Sequence, residues 1–261
     1  MSVYSDAGRL LCARREADEA FWDGHWAGQD MAAELAAASR GTWVSRLTRK
    51  HLPRGSRVLE GGAGLGRNVV ALSAAGFDAV GVDFAPETVA RAKTARPGLQ
   101  MVVGDVRGLP FPDASFDGYW SVGVIEHFRQ GYAPIAAEMR RVLKPGGLLF
   151  LSFPHLSALR RLKAASGAYP AWHGREEEFY QYLLDGRDVR ADFAASGFRL
   201  RRRSGFDGLK GLKDEWPAAQ PALQRLYDGR GLASRALRRL LEPALAPWAG
   251  HCSLLVLERC P

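Results

Sequence analysis

The sequence predicts a doubly wound α/β sheet, and two observations carry that prediction. Between Arg57 and Phe153, short apolar runs alternate with helical stretches, a pattern typical of parallel strands joined by right-handed crossovers. These runs are apolar almost throughout, as expected for strands that are covered on both faces. A chain of 261 residues is long enough for one large domain with additional segments.

The core elements are predicted in order from these runs. Five runs are predicted as strands: 57–60, 77–83, 99–105, 115–124 and 148–154. Helices are predicted between them over 65–75, 86–95 and 133–143, with the segment KPGG as a turn before the fifth strand. Gly76 marks the end of the first of these helices, and Pro86 fits the first turn of the second.

The segments outside the core are less regular. Residues 1–50 are predicted as an N-terminal helical cap, 51–154 as the ligand-binding core, and 155–261 as insertions with C-terminal strands that complete the same domain. Within the last part, the predicted elements are a loop-rich insertion 155–184, a helix 185–196, a strand 197–206, a helical insertion 207–249 broken by prolines, and a final strand 251–260.

Composition narrows the class of protein without naming an activity. The net charge is +8, which fits a solvated basic surface, an anionic substrate or a membrane surface. No apolar run is long enough to span a membrane, and the N-terminus has no apolar core of a signal peptide. The three cysteines show no metal-ligand spacing, so free thiols in a cytoplasmic location are expected.

The segment VLEGGAGLGRN, at 58–68, identifies the predicted ligand site. In sheets of this class, ligands bind beyond the carboxyl ends of the strands, and glycines there let a backbone approach the ligand closely. The glycines Gly62, Gly64 and Gly66 are compatible with a dinucleotide site, but Val69 stands where its third glycine would fall. Residues further along the sequence therefore have to distinguish between the candidate ligands.

Three acidic residues follow neighbouring predicted strands. Asp83 is placed to accept hydrogen bonds from ribose hydroxyls, which a dinucleotide also has. Asp105 is placed to accept from an adenine amino group, with the Val106 N–H meeting a ring nitrogen. Together with Glu60, these carboxylates favour a ligand with a cationic centre, because they would repel a pyrophosphate.

On these residues, the stretch 58–154 resembles the class I S-adenosylmethionine-dependent methyltransferases, most closely a bacterial group that acts on small molecules. The resemblance covers somewhat over a third of the chain and rests on four motifs in order: VLEGGAGLGRN, VGVDFAPE, VVGDVRGLPFPDASFDGYWSVGVIEHF and VLKPGGLLFLSFP. It implies a Rossmann-like sheet of seven strands in the order 3-2-1-4-5-7-6, with the last strand antiparallel.

The resemblance also implies roles for individual residues toward the cofactor S-adenosylmethionine. The methionine moiety would be lined by Glu60, Gly62 and Gly64, and the ribose held by Asp83. The remaining implied roles concern the adenine and the cofactor amine: Phe84 packs on adenine, Asp105 and Val106 read its edge, and the Ser121 carbonyl faces the amine.

His127 is the candidate catalytic base. It follows the predicted fourth strand and faces the cofactor crevice in this fold, although a packing role is the alternative. Methyl transfer mainly needs alignment of the reactants, and a base is required only where an acceptor proton must leave early. Seven aromatic residues of the flanking segments either wall an acceptor pocket or form the core of the cap: Phe21, Trp22, Trp26, Trp172, Phe179, Tyr180 and Tyr182.

Two classes of acceptor chemistry are not expected. No cluster of metal-ligand spacing is present, which disfavours a metal-dependent mechanism. A nucleic-acid acceptor is disfavoured because the place of an Asn/Asp-Pro-Pro-aromatic motif reads SVGV at 121–124, and because the three cysteines lie near the chain ends. The arginines at 199–203 alternate along a strand and form no single patch.

The sequence therefore predicts methyl transfer to a small-molecule acceptor, at oxygen rather than nitrogen or carbon. The alternatives that remain are a lipid-linked, quinone or envelope-glycan acceptor, a non-catalytic cofactor-binding protein, and a dehydrogenase. The segment 232–241 places Leu232, Ala236, Leu237, Leu240 and Leu241 on one helical face. That face either docks on the core or makes weak contact with a membrane surface.

Overall fold

The structure is a computed structural model, and it describes residues 2–14, 18–229 and 231–261. Its strands are β1 Ser2–Asp6, β2 Arg9–Ala13, β3 Arg57–Gly61, β4 Asp78–Asp83, β5 Met101–Val103, β6 Phe116–Val122, β7 Leu143–Pro154, β8 Phe179–Leu183, β9 Phe198–Phe206 and β10 Cys252–Arg259. Its α-helices are α1 Glu19–Ala27, α2 Met31–Ala38, α3 Trp43–Thr48, α4 Arg67–Ala74, α5 Pro86–Ala95, α6 Ala133–Val142, α7 Ala158–Ala165, α8 Gly186–Ala195, α9 Gly208–Glu215, α10 Gln220–Asp228 and α11 Leu232–Ala249.

The main sheet has seven strands in the order β5-β4-β3-β6-β7-β10-β9. Numbered from the first core strand, this is the order 3-2-1-4-5-7-6, so the predicted topology is confirmed. β10 runs antiparallel to both of its neighbours, β7 and β9, as predicted. The strand order reverses between β3 and β6, so the loops after these two strands diverge and leave a crevice at their carboxyl ends.

The core forms two layers, one on each face of this sheet. Neighbouring residues of one strand enter different layers: Tyr119 packs in the layer with α6 and α8, and Trp120 in the layer with α2 and α4. Trp120 stacks on Phe150 at a centroid distance of 4.5 Å and donates its indole N–H to Thr48 Oγ1 at 2.9 Å. Burial on both faces explains why the strand runs are apolar throughout.

The predicted core elements are present with shifts at their ends. The helix predicted from residue 65 begins at Arg67, because Gly64 and Gly66 hold left-handed backbone angles that a helix cannot include. The segment KPGG forms the start of β7 rather than a separate turn, since β7 begins at Leu143. The third core strand is confined to three residues.

The first residues of the predicted helical cap are a β-hairpin, which corrects the prediction for that segment. β1 and β2 pair through the two-residue turn Ala7-Gly8, in which both residues have positive φ, and this turn type suits a hairpin. β2 pairs in turn with β8, a strand of the segment that was expected to be loop-rich. Helices α1, α2 and α3 follow the hairpin, so the cap is mixed.

The insertion after β9 is helical, as predicted, but α11 does not dock through its leucine face. Leu232, Leu237 and Leu240 are 84%, 43% and 74% exposed. α11 packs on α9 through the opposite side, where Glu242 accepts from the Gly208 N–H at 2.6 Å. Among the described residues, no helix is long and apolar enough to cross a membrane.

A buried ion pair ties this insertion to the segment that follows β7. Arg160, in α7, donates through Nε to Glu215 Oε1 of α9 at 2.8 Å, and both side chains are 3% exposed. The second oxygen of Glu215 accepts from Lys163 Nζ at 2.7 Å and from the Tyr169 hydroxyl at 2.6 Å. Arg160 also donates to the His155 carbonyl oxygen at 2.7 Å. The carboxylate is therefore fully partnered, as a buried charge must be.

Replacing Arg160 with methionine should lower the free energy of unfolding by about 2–4 kcal/mol, because buried Glu215 would keep only the partly exposed Lys163 as a counter-charge. The double variant Arg160→Met/Glu215→Gln is the matched control and should recover part of that loss. Urea unfolding of the two variants and the wild type measures both quantities. A loss below about 1 kcal/mol in the single variant would contradict a structural role for the pair.

Candidate active site

Two cavities meet at the carboxyl ends of β3, β4 and β6. The larger one has a volume of about 950 Å³ and the smaller about 440 Å³. Four residues line both: Trp26, Gly62, Gly64 and Val122. A concave site of this size at the switch point of an α/β sheet is where a ligand is expected to bind.

The glycine turn after β3 forms the boundary between the cavities. Gly62, Gly64 and Gly66 have φ values of +72°, +50° and +75°. A Cβ on Gly62 would lie 2.5 Å from Val124 Cγ2, and one on Gly64 would lie 3.1 Å from the Trp26 ring. Side chains are excluded at these positions, so the backbone itself lines the cavities.

Asp83, the last residue of β4, holds this turn in place. Its Oδ2 accepts from the Gly64 N–H at 2.6 Å, and its Oδ1 accepts from the Ala85 N–H at 3.0 Å. Burial raises the pKa of Asp83, and the hydrogen bonds from Ala85 and Gly64 oppose that effect. Each oxygen keeps acceptor capacity toward the larger cavity, which Asp83 lines, so both can still receive hydroxyl donors.

Glu60 lies at the end of β3 and lines the smaller cavity. Its Oε1 accepts from Asn68 Nδ2 at 2.7 Å, while its buried Oε2 has no hydrogen-bond partner. Burial raises the pKa of Glu60 to about 8. An unpartnered carboxylate oxygen in a buried place is costly unless a donor joins it, so the site suits a cationic group beside Glu60.

The residues predicted to contact adenine lie together along the larger cavity: Phe84, Asp105 and Val106. The Asp105 carboxylate is not free there. Arg107 Nε donates to both of its oxygens, at 3.0 and 2.9 Å, and these hydrogen bonds lower the pKa of Asp105. An adenine amino group would have to share Asp105 with Arg107, a residue that the sequence argument did not consider.

Ser121 is fully buried in the sheet, paired with Gly61 on one side and Leu151 on the other. Among the described residues, the cavity lining in this part of the chain begins at Val122, the last residue of β6, and continues through Gly123 and Val124. The role expected of the Ser121 carbonyl therefore stays a prediction, and the residues that follow it form the observed wall.

His127 ends a short 3₁₀ helix, Ile125–His127, and lines the larger cavity. Its Nδ1 lies 2.8 Å from the Tyr180 carbonyl oxygen. Since a carbonyl oxygen only accepts, Nδ1 carries the hydrogen and Nε2 is left as an acceptor. Burial lowers the pKa of His127 to about 4, so the ring is neutral at physiological pH. Edges of Trp22 and Tyr180 fix its plane.

The flanking segments supply the outer wall of the larger cavity. Of the seven aromatic residues singled out in the sequence, four line it: Trp22, Trp26, Phe179 and Tyr182. Besides Arg107, two further arginines that the sequence argument missed line it, Arg9 of β2 and Arg129. Arg129 lies 4.7 Å above the Trp172 ring and 3.5 Å from Glu176. In the sequence, the signal that could have identified Arg129 is its position two residues after His127.

The cap is attached to the core next to the glycine turn. Asp23 of α1 accepts from the Thr88 N–H at 2.8 Å and from its hydroxyl at 2.6 Å. Thr88 lies in the first turn of α5, whose own preceding residue, Ala85, makes no side-chain cap. Asp23 therefore caps α5 from another helix, and this contact holds α1 with Trp22 and Trp26 over the site.

Comparison with known proteins identifies the family to which this chain belongs. Residues 59–151 match the family described as "Methyltransferase domain". The demethylmenaquinone methyltransferase of Beutenbergia cavernae is 39% identical over 185 residues, which are 70% of this chain and 69% of that protein. This chain belongs to the class I S-adenosylmethionine-dependent methyltransferases. Membership in that family decides against the dehydrogenase considered above.

Two further comparisons define how far the similarity extends. The 2-methyl-6-phytyl-1,4-hydroquinone methyltransferase of Synechocystis is 38% identical over 105 residues, which are 39% of this methyltransferase and 33% of that protein. The chain thus spans a third of the length of that relative. The solved 1,6-didemethyltoxoflavin-N1-methyltransferase of Burkholderia thailandensis has a TM-score of 0.57 at 17% identity and full coverage of both chains. At that identity the likeness shows the fold.

The residues present fit the cofactor of this family. S-adenosylmethionine carries an ammonium group, a ribose and an adenine. The unpartnered Glu60 oxygen is suited to the ammonium, and the Asp83 oxygens to the ribose hydroxyls. Gly62 and Gly64 leave room for the part of the cofactor that joins its ammonium group to its ribose. Among the described residues, no cluster of three or more His, Cys, Asp or Glu side chains could hold a metal ion.

Replacing Asp83 with alanine should weaken S-adenosylmethionine binding by about 1–3 kcal/mol, because the ribose hydroxyls lose a charged acceptor and the Gly64 turn loses its support. Calorimetric titration with S-adenosylmethionine, S-adenosylhomocysteine and NADH measures this, and NADH should not bind. Asp78→Ala, at the exposed start of the same strand, is the control. Unchanged affinity in Asp83→Ala would remove Asp83 from the site.

Glu126 should make stability depend on pH. It is 1% exposed with an unpartnered Oε2, and burial raises its pKa to about 8, above the unfolded value of 4.5. The stability that the protonated carboxyl contributes is complete below pH 4.5 and is lost as the pH rises through 8.

We expect Glu126→Gln to match the wild type at pH 5 and to exceed it at pH 9 by on the order of 2–4 kcal/mol. Thermal or urea unfolding across that pH range measures the difference, with the exposed Glu87→Gln as control. A constant difference between Glu126→Gln and wild type at all pH values would contradict the raised pKa.

Proposed function

We propose that this methyltransferase transfers the methyl group of S-adenosylmethionine to an oxygen of a small-molecule acceptor bound in the larger cavity. The observation that carries the proposal is the neutral His127, which lines the same cavity as the glycine turn and has Nε2 as an acceptor. A hydroxyl proton must leave as an oxygen is methylated, and Nε2 can receive it.

In this proposal the chain holds both reactants and excludes water. The bound cofactor supplies an activated methyl group on a sulfonium. Asp83 holds the ribose, Glu60 pairs with the ammonium, and the Gly62–Gly66 turn lets the backbone approach closely. Trp26 closes over Gly64 and separates the cofactor from solvent. Alignment of the acceptor oxygen with the methyl carbon is then the main contribution to rate.

His127 receives the proton of the acceptor hydroxyl at Nε2. Its Nδ1–H donates to the Tyr180 carbonyl, which fixes the tautomer, orients the ring and favours the imidazolium that forms. Since the pKa of His127 is about 4, the base form is complete at all pH values above about 5. The proposed base therefore imposes no loss of rate between neutral and mildly acidic pH.

A quinone-type acceptor is the second candidate, and two observations favour it. Relatives in two organisms are named for a demethylmenaquinone and for a phytyl hydroquinone. The cavity wall offers flat aromatic side chains, Trp22, Phe179 and Tyr182, against which a ring can pack. A hydroquinone also presents a hydroxyl to His127, so the same base would serve it.

Replacing His127 with alanine should reduce turnover by about a hundredfold while leaving S-adenosylmethionine affinity unchanged, because the base acts only on the acceptor. The assay offers simple phenols, a benzohydroquinone and a prenylated hydroquinone, and the product is assigned by NMR as O-methyl or C-methyl. The wild-type rate should stay flat from pH 8 to about pH 5.

The matched control is Tyr182→Phe, which keeps an aromatic wall and removes a hydroxyl that bonds only at 3.5 Å to the Arg129 carbonyl. Turnover in His127→Ala close to wild type would assign His127 to packing. Binding of S-adenosylmethionine without turnover of any acceptor would favour the non-catalytic, cofactor-binding alternative.

A further inference from the structure

The outer face of α11 is apolar along its whole length. We define this face by Leu232, Ala236, Leu237, Leu240 and Trp248, all of which are exposed. Leu162 of α7 and Trp216 after α9 are also exposed, at 66% and 54%, and both helices pack on α11. Four of the eight large exposed apolar side chains of the described chain therefore lie on α11, and a concentration of this kind marks an interaction surface.

The orientation of α11 is fixed by its inner side. Glu242 accepts from the Gly208 N–H at 2.6 Å and from the Leu209 N–H at 3.4 Å, and so caps α9. Gly211 packs so closely on Ala249 that a Cβ there would collide with the Ala249 carbonyl. These contacts prevent the helix from rolling, so the outer face of α11 stays exposed while the insertion remains folded.

The charged residues of α11 that flank its outer face are arginines. Arg235 and Arg239 are exposed, and neither has an ion pair among the described residues. The single acid of this helix, Glu242, is turned inward and bonded to α9. An apolar stripe of leucines with a terminal tryptophan, bordered by arginines, is the pattern of a helix that lies in the interface of an anionic bilayer.

The insertion also rises from the edge of the sheet that carries the active site. Phe206 and Pro154 both pair with Cys252, so β9 ends at the same edge as β7. The chain between Phe206 and Cys252 is therefore anchored at the carboxyl edge, where both cavities open.

We infer that the outer face of α11 docks this protein on the surface of an anionic lipid bilayer. The leucines and Trp248 enter the boundary of the acyl chains, and Arg235 and Arg239 pair with lipid phosphates. A second copy of the chain is disfavoured as the occupant, because a symmetric contact between two such faces would bring arginines of like charge together. This inference stands independently of which acceptor is methylated.

The chain of 261 residues is sedimented with vesicles of phosphatidylcholine alone and with vesicles containing about one third phosphatidylglycerol. Binding is expected only to the anionic vesicles and should weaken as salt is added. Leu237→Glu/Leu240→Glu should lower the partition coefficient by roughly tenfold or more. The matched control is Val103→Glu, which changes an exposed apolar residue on β5, the opposite edge of the sheet.

A second pair of variants tests the charged border. Arg235→Glu/Arg239→Glu should reduce binding to anionic vesicles by roughly tenfold or more, while Arg190→Glu, on the exposed side of α8, should not. Three outcomes would overturn the inference. They are absence of binding to anionic vesicles, binding that the leucine variants leave unchanged, and a dimer in sedimentation velocity that Leu237→Glu/Leu240→Glu dissociates, which would assign the face to a second copy.

Discussion

The hydrogen bond from the Gly64 N–H to the Asp83 carboxylate is the contact on which the site depends. It joins the turn after β3, which lines both cavities, to the end of β4, which lines the larger one. The turn has left-handed angles at three glycines and has no polar side chain of its own to accept its backbone N–H groups. The buried carboxylate of Asp83, on the neighbouring strand, therefore stabilises the turn, and its partial desolvation costs free energy.

Two other carboxyl groups near this turn are buried with an oxygen left unpartnered. Glu60 borders the smaller cavity, and Glu126 is the middle residue of the 3₁₀ helix that ends at His127. Burial raises the pKa of both to about 8, so neither is a full charge at neutral pH. The first can gain a cationic partner from a ligand. The second lines neither of the two cavities, and its burial makes the free energy of unfolding fall in alkaline solution.

The cover of the site is built from segments far apart in the chain. α1 is held by Asp23 on α5, while β8 joins the N-terminal hairpin and supplies the Tyr180 carbonyl that sets the His127 tautomer. The core sheet thus provides the glycine turn and the acids beside it, and the cover provides the outer wall of the larger cavity. This division allows a common core to serve different acceptors, which is why the fold alone does not name one.

The sequence by itself determined the core sheet and its ligand side. The apolar runs, the glycines at 62, 64 and 66, and the acids ending β3 and β4 are local patterns, and a strand or a tight turn is specified by local spacing. The bidentate contact between Asp105 and Arg107 is local too, and a search for opposite charges two residues apart would have found it.

Only the tertiary structure decided the cover and the exposed helix. The pairing of β2 with β8 joins residues about 170 positions apart, and no periodicity within either segment specifies a partner. The leucine pattern of 232–241 identified an amphipathic helix but not which side would pack. That choice depended on Glu242 and on the close approach of α9 at Gly211, which are contacts between elements rather than properties of the helix.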